Sequence, residues 1–301
     1  MCGIVGLFAK SPEVEFKLGE HLGTMLAQMS DRGPDSAGVA VYRHPAPAGW
    51  CKMSLYSTDP EPRWSALRGE LGEAFGGTPE LAVRASHAVV TVATDPPTAE
   101  AWVRRTHPDL RVMSAGEVIE IFKEVGSPRR FVERFRLDDL RGTHALGHTR
   151  MATESRVMTE ASHPFSTGLD LCLVHNGSLS NHNRLRRRLR HHGIEFDTEN
   201  DTEVAAGYLA WRLREGASLS HALEGCLTDL DGFYTFLVGT VDGFAVLRDP
   251  IACKPAVIAE SDEWVAMASE YRAIAVLPGA AHARTWEPEP GVVYAWERAL
   301  V

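Results

Sequence analysis

The chain opens Met1-Cys2-Gly3-Ile4-Val5-Gly6. Removal of Met1 would leave a thiol and a free α-amine on one residue. An α-amine titrates near ~8 and a free thiol near ~8.5. The thiolate is the nucleophilic form of Cys, and an amine close to neutrality is a competent general base. One terminal residue, Cys2, can therefore supply nucleophile and base together. The alternative is a chance Cys at an untrimmed terminus. Gly3 and Gly6 flank the apolar pair Ile4-Val5. That pattern predicts a buried strand whose glycines permit close backbone approach to a ligand.

Four further stretches carry residue types that suit chemistry. Arg32-Gly-Pro-Asp-Ser-Ala-Gly38 is a turn between a helix and a strand. It serves either as a turn alone or as a loop bringing Arg32 and Asp35 beside the N-terminus. Gly147-His-Thr-Arg150-Met-Ala-Thr153 ends a short strand, and Arg150 there suits bidentate capture of a carboxylate or simply faces solvent. His144 and His148 have the i,i+4 spacing of a helical metal pair. Their flanking glycines argue for a strand instead, and no metal is expected. His175-Asn176-Gly177 follows the apolar run Leu171–Val174. It reads as a turn, and it can also present the Asn176 side chain and the Gly177 N–H as two oxyanion donors. Asp201 opens an amphipathic helix, either as its N-cap or as an anion for a substrate ammonium group.

These positions need elements to hold them. Val14 to Ser30 has the periodicity of a helix, with Leu18, Leu22, Met25, Leu26 and Met29 on one face. Strands are expected at Val39–Tyr42, Cys51–Tyr56, Ala82–Ala93 and Leu110–Met113, with helices at Thr98–Arg105, Gly116–Val125 and Pro128–Phe135. Ser178 to Arg190 predicts a helix with a dense basic face, either solvated or a docking surface. Hairpin strands follow at Gly232–Gly239 and Gly243–Arg248. The C-terminal part adds strands at Ala256–Ala259 and Trp264–Ala268 and a closing strand that ends near Trp296.

Composition narrows the class. The 301 residues can bury a full core. A net charge of −9 argues against nucleic acid as a general partner. No apolar run reaches membrane-spanning length, and no signal peptide is visible. The cysteines Cys2, Cys51, Cys172, Cys226 and Cys253 are odd in number and lack CxxC spacing. That usage fits a reducing, cytoplasmic compartment.

Taken in order, Met-Cys2-Gly-Ile-Val-Gly, Arg32 to Gly38, Gly147-His-Thr-Arg150-x-Ala-Thr153, His175-Asn176-Gly177 and Asn200-Asp201-Thr-Glu resemble the class II glutamine amidotransferases, which are N-terminal nucleophile hydrolases. Asp249-Pro to Lys254-Pro and Ser269-Glu270 also look like that family. Within it, the chain most resembles the stand-alone amidotransferase subunit of N-methylglutamate synthase and glutamate-synthase-like enzymes. The resemblance implies an α+β fold, a four-layer αββα sandwich of one domain spanning 1–301. The stretch of about 60–140 is longer than the link in compact relatives and is expected as an inserted α+β lobe.

The resemblance also implies roles. Cys2 attacks the glutamine side-chain amide and its own amine shuttles the proton. Asn176 and the Gly177 N–H stabilise the oxyanion. Arg150 holds the α-carboxylate with Thr153 nearby, and Asp201 pairs with the α-ammonium. Gly3, Arg32 and His175 are supporting positions. Met151 and Glu154 depart from the Trp and His of many relatives, which bears on the substrate lid. No cofactor is expected in this chain. A separate synthase subunit that accepts ammonia is expected to carry FMN and iron–sulfur. Two other functions fit the same residues, a stand-alone γ-glutamyl amide or peptide hydrolase and a non-catalytic glutamine-binding subunit.

Overall fold

Gly3–Ala9 is buried along its whole length. Its side chains alternate between two cores, Val5 and Leu7 facing one and Ile4 and Phe8 the other. A strand with apolar residues on both faces belongs in the middle of a layered protein. The structure, a computed structural model, describes residues 2–59, 63–151 and 157–298.

Among the described residues the strands are β1 (Gly3–Ala9), β2 (Ser36–Tyr42), β3 (Cys51–Ser57), β4 (Glu80–Arg84), β5 (His87–Val92), β6 (Leu110–Gly116), β7 (Ile119–Val125) and β8 (His144–Arg150). They continue with β9 (Phe165–Gly168), β10 (Leu171–Leu179), β11 (Gly232–Gly239), β12 (Gly243–Arg248), β13 (Val257–Glu260), β14 (Trp264–Ala268), β15 (Arg284–Trp286) and β16 (Val293–Glu297). The helices are α1 (Pro12–Phe16), α2 (Leu18–Gln28), α3 (Trp64–Phe75), α4 (Pro96–Thr106), α5 (Pro128–Arg134), α6 (His182–His191), α7 (Asp201–Arg214), α8 (Leu219–Asp229) and α9 (Tyr271–Ile274).

One sheet runs β15-β13-β14-β1-β8-β2-β7 and a second runs β16-β12-β11-β10-β9, every pairing antiparallel. The sheets face each other through Ile4, Leu146 and Met267 on one side and Val174, Leu237 and Val246 on the other. Helix α2 packs on the outer face of the first sheet with α5 and α9. Leu18, Leu22, Met25, Leu26 and Met29 form its buried stripe, as their spacing predicts. The outer face of the second sheet is covered by Leu185, Leu189, Val204, Leu209 and Leu223 of α6, α7 and α8. The layers are therefore helix, sheet, sheet, helix, the expected αββα sandwich.

Several local expectations change. Gly116–Val125 is not a helix: Ile119–Val125 is strand β7, paired residue for residue with β2. Ile119 and Ile121 enter the core between the sheets while Phe122 enters the helix-side core. This period-two burial outweighs the helix-forming Glu120, Lys123 and Glu124. Ala82–Ala93 is a hairpin of β4 and β5, turned at Ala85, whose φ is +51°. The apolar run Leu171–Val174 does not stop in a turn, because β10 continues to Leu179. The stretch of about 60–140 divides between two regions. A separate sheet in the order β4-β5-β3-β6, covered by α3 and α4, spans 51–116. Strand β7 and helix α5 belong to the main layers instead.

Candidate active site

Cys2 sits at the start of β1, half-buried. Its carbonyl oxygen accepts from Arg32 Nε at 3.0 Å and from Asn176 Nδ2 at 3.3 Å. Arg32 is itself buried, and its guanidinium pairs with Glu270. Arg272 meets the same carboxylate at 2.6 Å. The hydrogen bond from Arg32 is the chief reason that Glu270 titrates below the usual carboxylate range. The adjoining Ser269 grips β1 twice. Its hydroxyl accepts from Ile4 N at 2.9 Å, and its N–H donates to Ile4 O at 3.0 Å. The loop that begins at Arg32 thus reaches the N-terminus. Gly3 is required by space: a Cβ there would lie 2.8 Å from Thr149 Oγ1 and 3.0 Å from Met29 Cβ.

Asn176 and Gly177 lie within a paired strand, opposite Thr235 and Tyr234 of β11. Alternation along β10 puts Asn176 on the face of Cys172 and Val174, which looks toward the first sheet. His175 takes the other face, edge-on to Phe236 at 5.2 Å. Gly177 has φ +155°, and a Cβ would stand 2.0 Å from Phe233 O. No other residue fits that backbone without moving β11.

Asp201 is the first residue of α7, but Asn200 is the cap, its side chain accepting from Thr202 N at 2.8 Å. Released from capping, Asp201 Oδ2 accepts from Leu179 N at 2.9 Å, tying α7 to the end of β10. Arg186 of the basic helix α6 also serves this turn. It is buried, pairs with Glu199 and donates to Asn200 O at 3.0 Å. Arg184, Arg187, Arg188 and Arg190 remain exposed.

Three histidines gather behind these residues. Thr202 Oγ1 lies 2.8 Å from His163 Nε2 and 3.0 Å from His175 Nδ1. A hydroxyl donates one hydrogen bond and accepts up to two, and Asp201 Oδ1, 3.5 Å away, is a third partner of the Thr202 hydroxyl. His148 Nε2 donates to His175 O at 3.1 Å, and its ring stacks on His163 with 3.9 Å between centroids. Burial makes charge costly in all three rings. It pushes His148 down to about 3 and His163 well below its usual value. It lowers His175 too, although Asp201 pulls the other way. Spacing alone paired His148 with His144, yet the two are four residues apart on a strand, roughly 13 Å. His144 stacks on Tyr42 and hydrogen-bonds Thr240 O at 2.9 Å. The roles of His163 and Thr202 were not legible, because their partners lie on distant segments.

Arg150 closes β8, opposite Ser36. Its Nη1 donates to Ala161 O at 3.3 Å, and Asn200 Nδ2 reaches the same oxygen at 3.4 Å. Arg150 and the cap of α7 therefore meet at one carbonyl, which brings the expected cation near the expected anion, Asp201. Thr153 and Glu154 lie outside the described residues. A cavity of about 610 Å³ opens elsewhere, between α4, β9 and α7, and none of Cys2, Arg150, Asn176 or Asp201 lines it.

A family model described as a glutamine amidotransferase domain matches residues 148–276, from His148 through the Asn176 strand and α7 to α9. Over 298 residues the chain is 54% identical to the "Glutamine amidotransferase-like protein GlxB" of Rhizobium meliloti (strain 1021), covering 99% of this chain and 98% of that one. The chain belongs to the glutamine amidotransferase family. Some matches share only part of their length. An amidophosphoribosyltransferase of Archaeoglobus fulgidus is 34% identical over 54% of this chain and 34% of its own. Among solved structures, the glutamine phosphoribosylpyrophosphate amidotransferase of B. subtilis superposes with a TM-score of 0.61 at 21% identity. That superposition covers 98% of this chain and 47% of the B. subtilis chain, so the shared part is the fold. Among the described residues, no helix is long and apolar enough to cross a membrane.

Proposed function

We propose that this chain hydrolyses the side-chain amide of L-glutamine and passes the ammonia to a separate synthase subunit. The observation that carries the reading is the placement of the Asn176 amide on the Cys2 carbonyl, 3.3 Å away, from a strand of the opposite sheet. After loss of Met1, the Cys2 thiolate attacks the amide carbon and its own α-amine moves the proton. Asn176 Nδ2 and the Gly177 N–H are the donors for the oxyanion. Collapse of the tetrahedral adduct expels ammonia, protonated by the α-ammonium, and leaves a γ-glutamyl thioester. Water, deprotonated by the amine, then releases glutamate.

Arg150 holds the α-carboxylate with Thr153, and Asp201 holds the α-ammonium. A zwitterion held at both ends lies in one orientation, and such positioning lowers the barrier before chemistry starts. Gly3, Arg32 and His175 set the backbone of the nucleophile and of the oxyanion donors. The acceptor subunit is of the N-methylglutamate or glutamate synthase type and brings FMN and iron–sulfur. Support for this assignment comes from the resemblance of Asp31-Arg-Gly-Pro-Asp-Ser-Ala-Gly, Arg150-Met-Ala-Thr-Glu-Ser, Asp229-Leu-Asp-Gly-Phe-Tyr and Asp249-Pro-Ile-Ala-Cys-Lys-Pro to that subgroup.

The test is glutamate and ammonia release by the purified chain with Met1 removed. Wild type should turn over glutamine, and Cys2→Ala should abolish turnover while melting normally. Equal activity in Cys2→Ala would overturn the nucleophile. Faster turnover of γ-glutamyl peptides than of glutamine would favour the stand-alone hydrolase. Glutamine binding without turnover by wild type would favour a non-catalytic subunit.

A further inference from the structure

Lys123, on β7, is a buried lysine without a carboxylate partner. Its side chain is 3% exposed, and among the described residues no acid lies within ion-pair distance. The ammonium donates instead to three backbone carbonyls, Glu160 O at 3.1 Å, Ser162 O at 2.9 Å and Pro164 O at 3.2 Å. The Phe165 ring lies 4.8 Å away on a further side. Burial is the chief cause of a pKa lowered to about 8. Burying an ammonium is costly unless it is hydrogen-bonded, and here three carbonyls meet it while Glu203, Glu160 and Asp197 attract it from beyond ion-pair distance. What Lys123 secures is the position of the segment 158–164.

That segment crosses the first sheet next to the candidate site. It passes directly over β2, where Gly38 makes room: a Cβ on Gly38 would stand 2.1 Å from His163 O and 2.7 Å from Lys123 Cβ. Gly38 and Lys123 are register partners on β2 and β7. Between the tethered carbonyls lies Ala161, whose oxygen accepts from Arg150 Nη1 and from Asn200 Nδ2. Two residues on is His163, bonded to Thr202 of α7. The strap therefore carries a carbonyl on which Arg150 and the cap of α7 converge.

We propose that Lys123 is a positioning residue for substrate binding: by gathering the carbonyls of residues 160, 162 and 164 over Gly38, it sets Ala161 and, through it, the angle of the Arg150 guanidinium. The inference rests on the reading that Arg150 holds the α-carboxylate of the substrate. A fork-shaped cation recognises a carboxylate only when its plane is set, so a loosened strap would cost affinity for that end of the substrate. The chemistry at Cys2, on the other side of β8, would be left alone.

The test compares Lys123→Met and Lys123→Gln with wild type by three measurements. Hydrogen exchange over 158–164 should speed up most in Lys123→Met and less in Lys123→Gln, which keeps two donors. KM for glutamine should rise about tenfold in Lys123→Met with kcat within about twofold. The rise should vanish for glutamine whose α-carboxylate is converted to an amide. The melting temperature should fall in Lys123→Met and less in Lys123→Gln, since three carbonyls lose a charged donor. Unchanged exchange in both variants overturns the tether. Faster exchange with unchanged KM overturns the link to Arg150. A fall in kcat and melting temperature at constant KM assigns Lys123 a general packing role instead. If wild type itself releases no glutamate while exchange responds as expected, the glutaminase reading fails and the tether stands. Should Lys123→Met not fold, Lys123→Gln carries the comparison.

Discussion

The guanidinium of Arg186 donates to the carbonyl of Asn200 at 3.0 Å, although Arg186 stands on the most densely basic helix of the chain. It points inward, against the turn that delivers Asp201 to the site, while the other arginines of α6 face solvent. The positive run on this helix thus has two functions. One arginine braces the start of α7, and Arg184, Arg187, Arg188 and Arg190 are left for solvent or a partner.

Arg186→Ala should therefore behave unlike Arg187→Ala. Loss of a charged hydrogen bond to the part-buried Asn200 carbonyl costs about 1.5–3 kcal/mol at most. Its ion pair with Glu199 adds little, because the Glu199 side chain is 86% exposed. Denaturant midpoints should drop for Arg186→Ala and stay within about 0.5 kcal/mol of wild type for Arg187→Ala. Equal destabilisation by the two would contradict the inward role.

Arg150→Lys should raise KM for glutamine strongly, because a point charge cannot reproduce a planar fork. Steady-state kinetics of glutamate release measure this directly. An unchanged KM would remove Arg150 from the carboxylate end of the site.

Asn176→Ala should act on the rate. If the amide that reaches the Cys2 carbonyl also meets the developing oxyanion, its loss should lower kcat by about 10²-fold or more. A defect confined to KM would instead make Asn176 a binding group. The variant should fold, since the side chain is smaller and the β10 pairing to β11 is backbone.

Stability should fall in acid. Burial pushes His87, His144 and His148 each down to about 3. Unfolded, each ring titrates near ~6.5. Above that pH both states hold the neutral ring, and the stability is fully present. Below it the unfolded chain takes up protons that the folded chain refuses, so stability declines with falling pH down to about 3. The slope is up to about 1.4 kcal/mol per pH unit for each histidine. Urea midpoints at about pH 7 and about pH 5 measure it. His144→Gln, remote from the site, should flatten the slope by one ring's share, and a flat wild-type profile would refute the buried neutral histidines.

Periodicity and residue chemistry carried far in this chain. The apolar β1 after Cys2, the stripe of α2 and the hairpin of β11 and β12 are local patterns, each set by side-chain spacing against a single period. Cys2, Arg150, Asn176, Gly177 and Asp201 stood out as candidates because their short motifs occur together in order, each motif alone being open to a plain structural reading. Burial and cross-strand pairing decided the rest. Ile119–Val125 has the composition of a helix end but the alternation of a strand between two cores, and β2 decides which pattern holds. Asn176-Gly177 has the composition of a turn, yet β11 pairs straight through it. Asn200, not Asp201, caps α7, because Asp201 finds the N–H of Leu179, a residue 22 positions away. Lys123 and His163 bear no motif of their own, and Thr202, though inside Asn200-Asp201-Thr-Glu, carries no role there. Their roles exist only where segments distant in sequence come within hydrogen-bond reach, and no local period records which carbonyl or ring will be there.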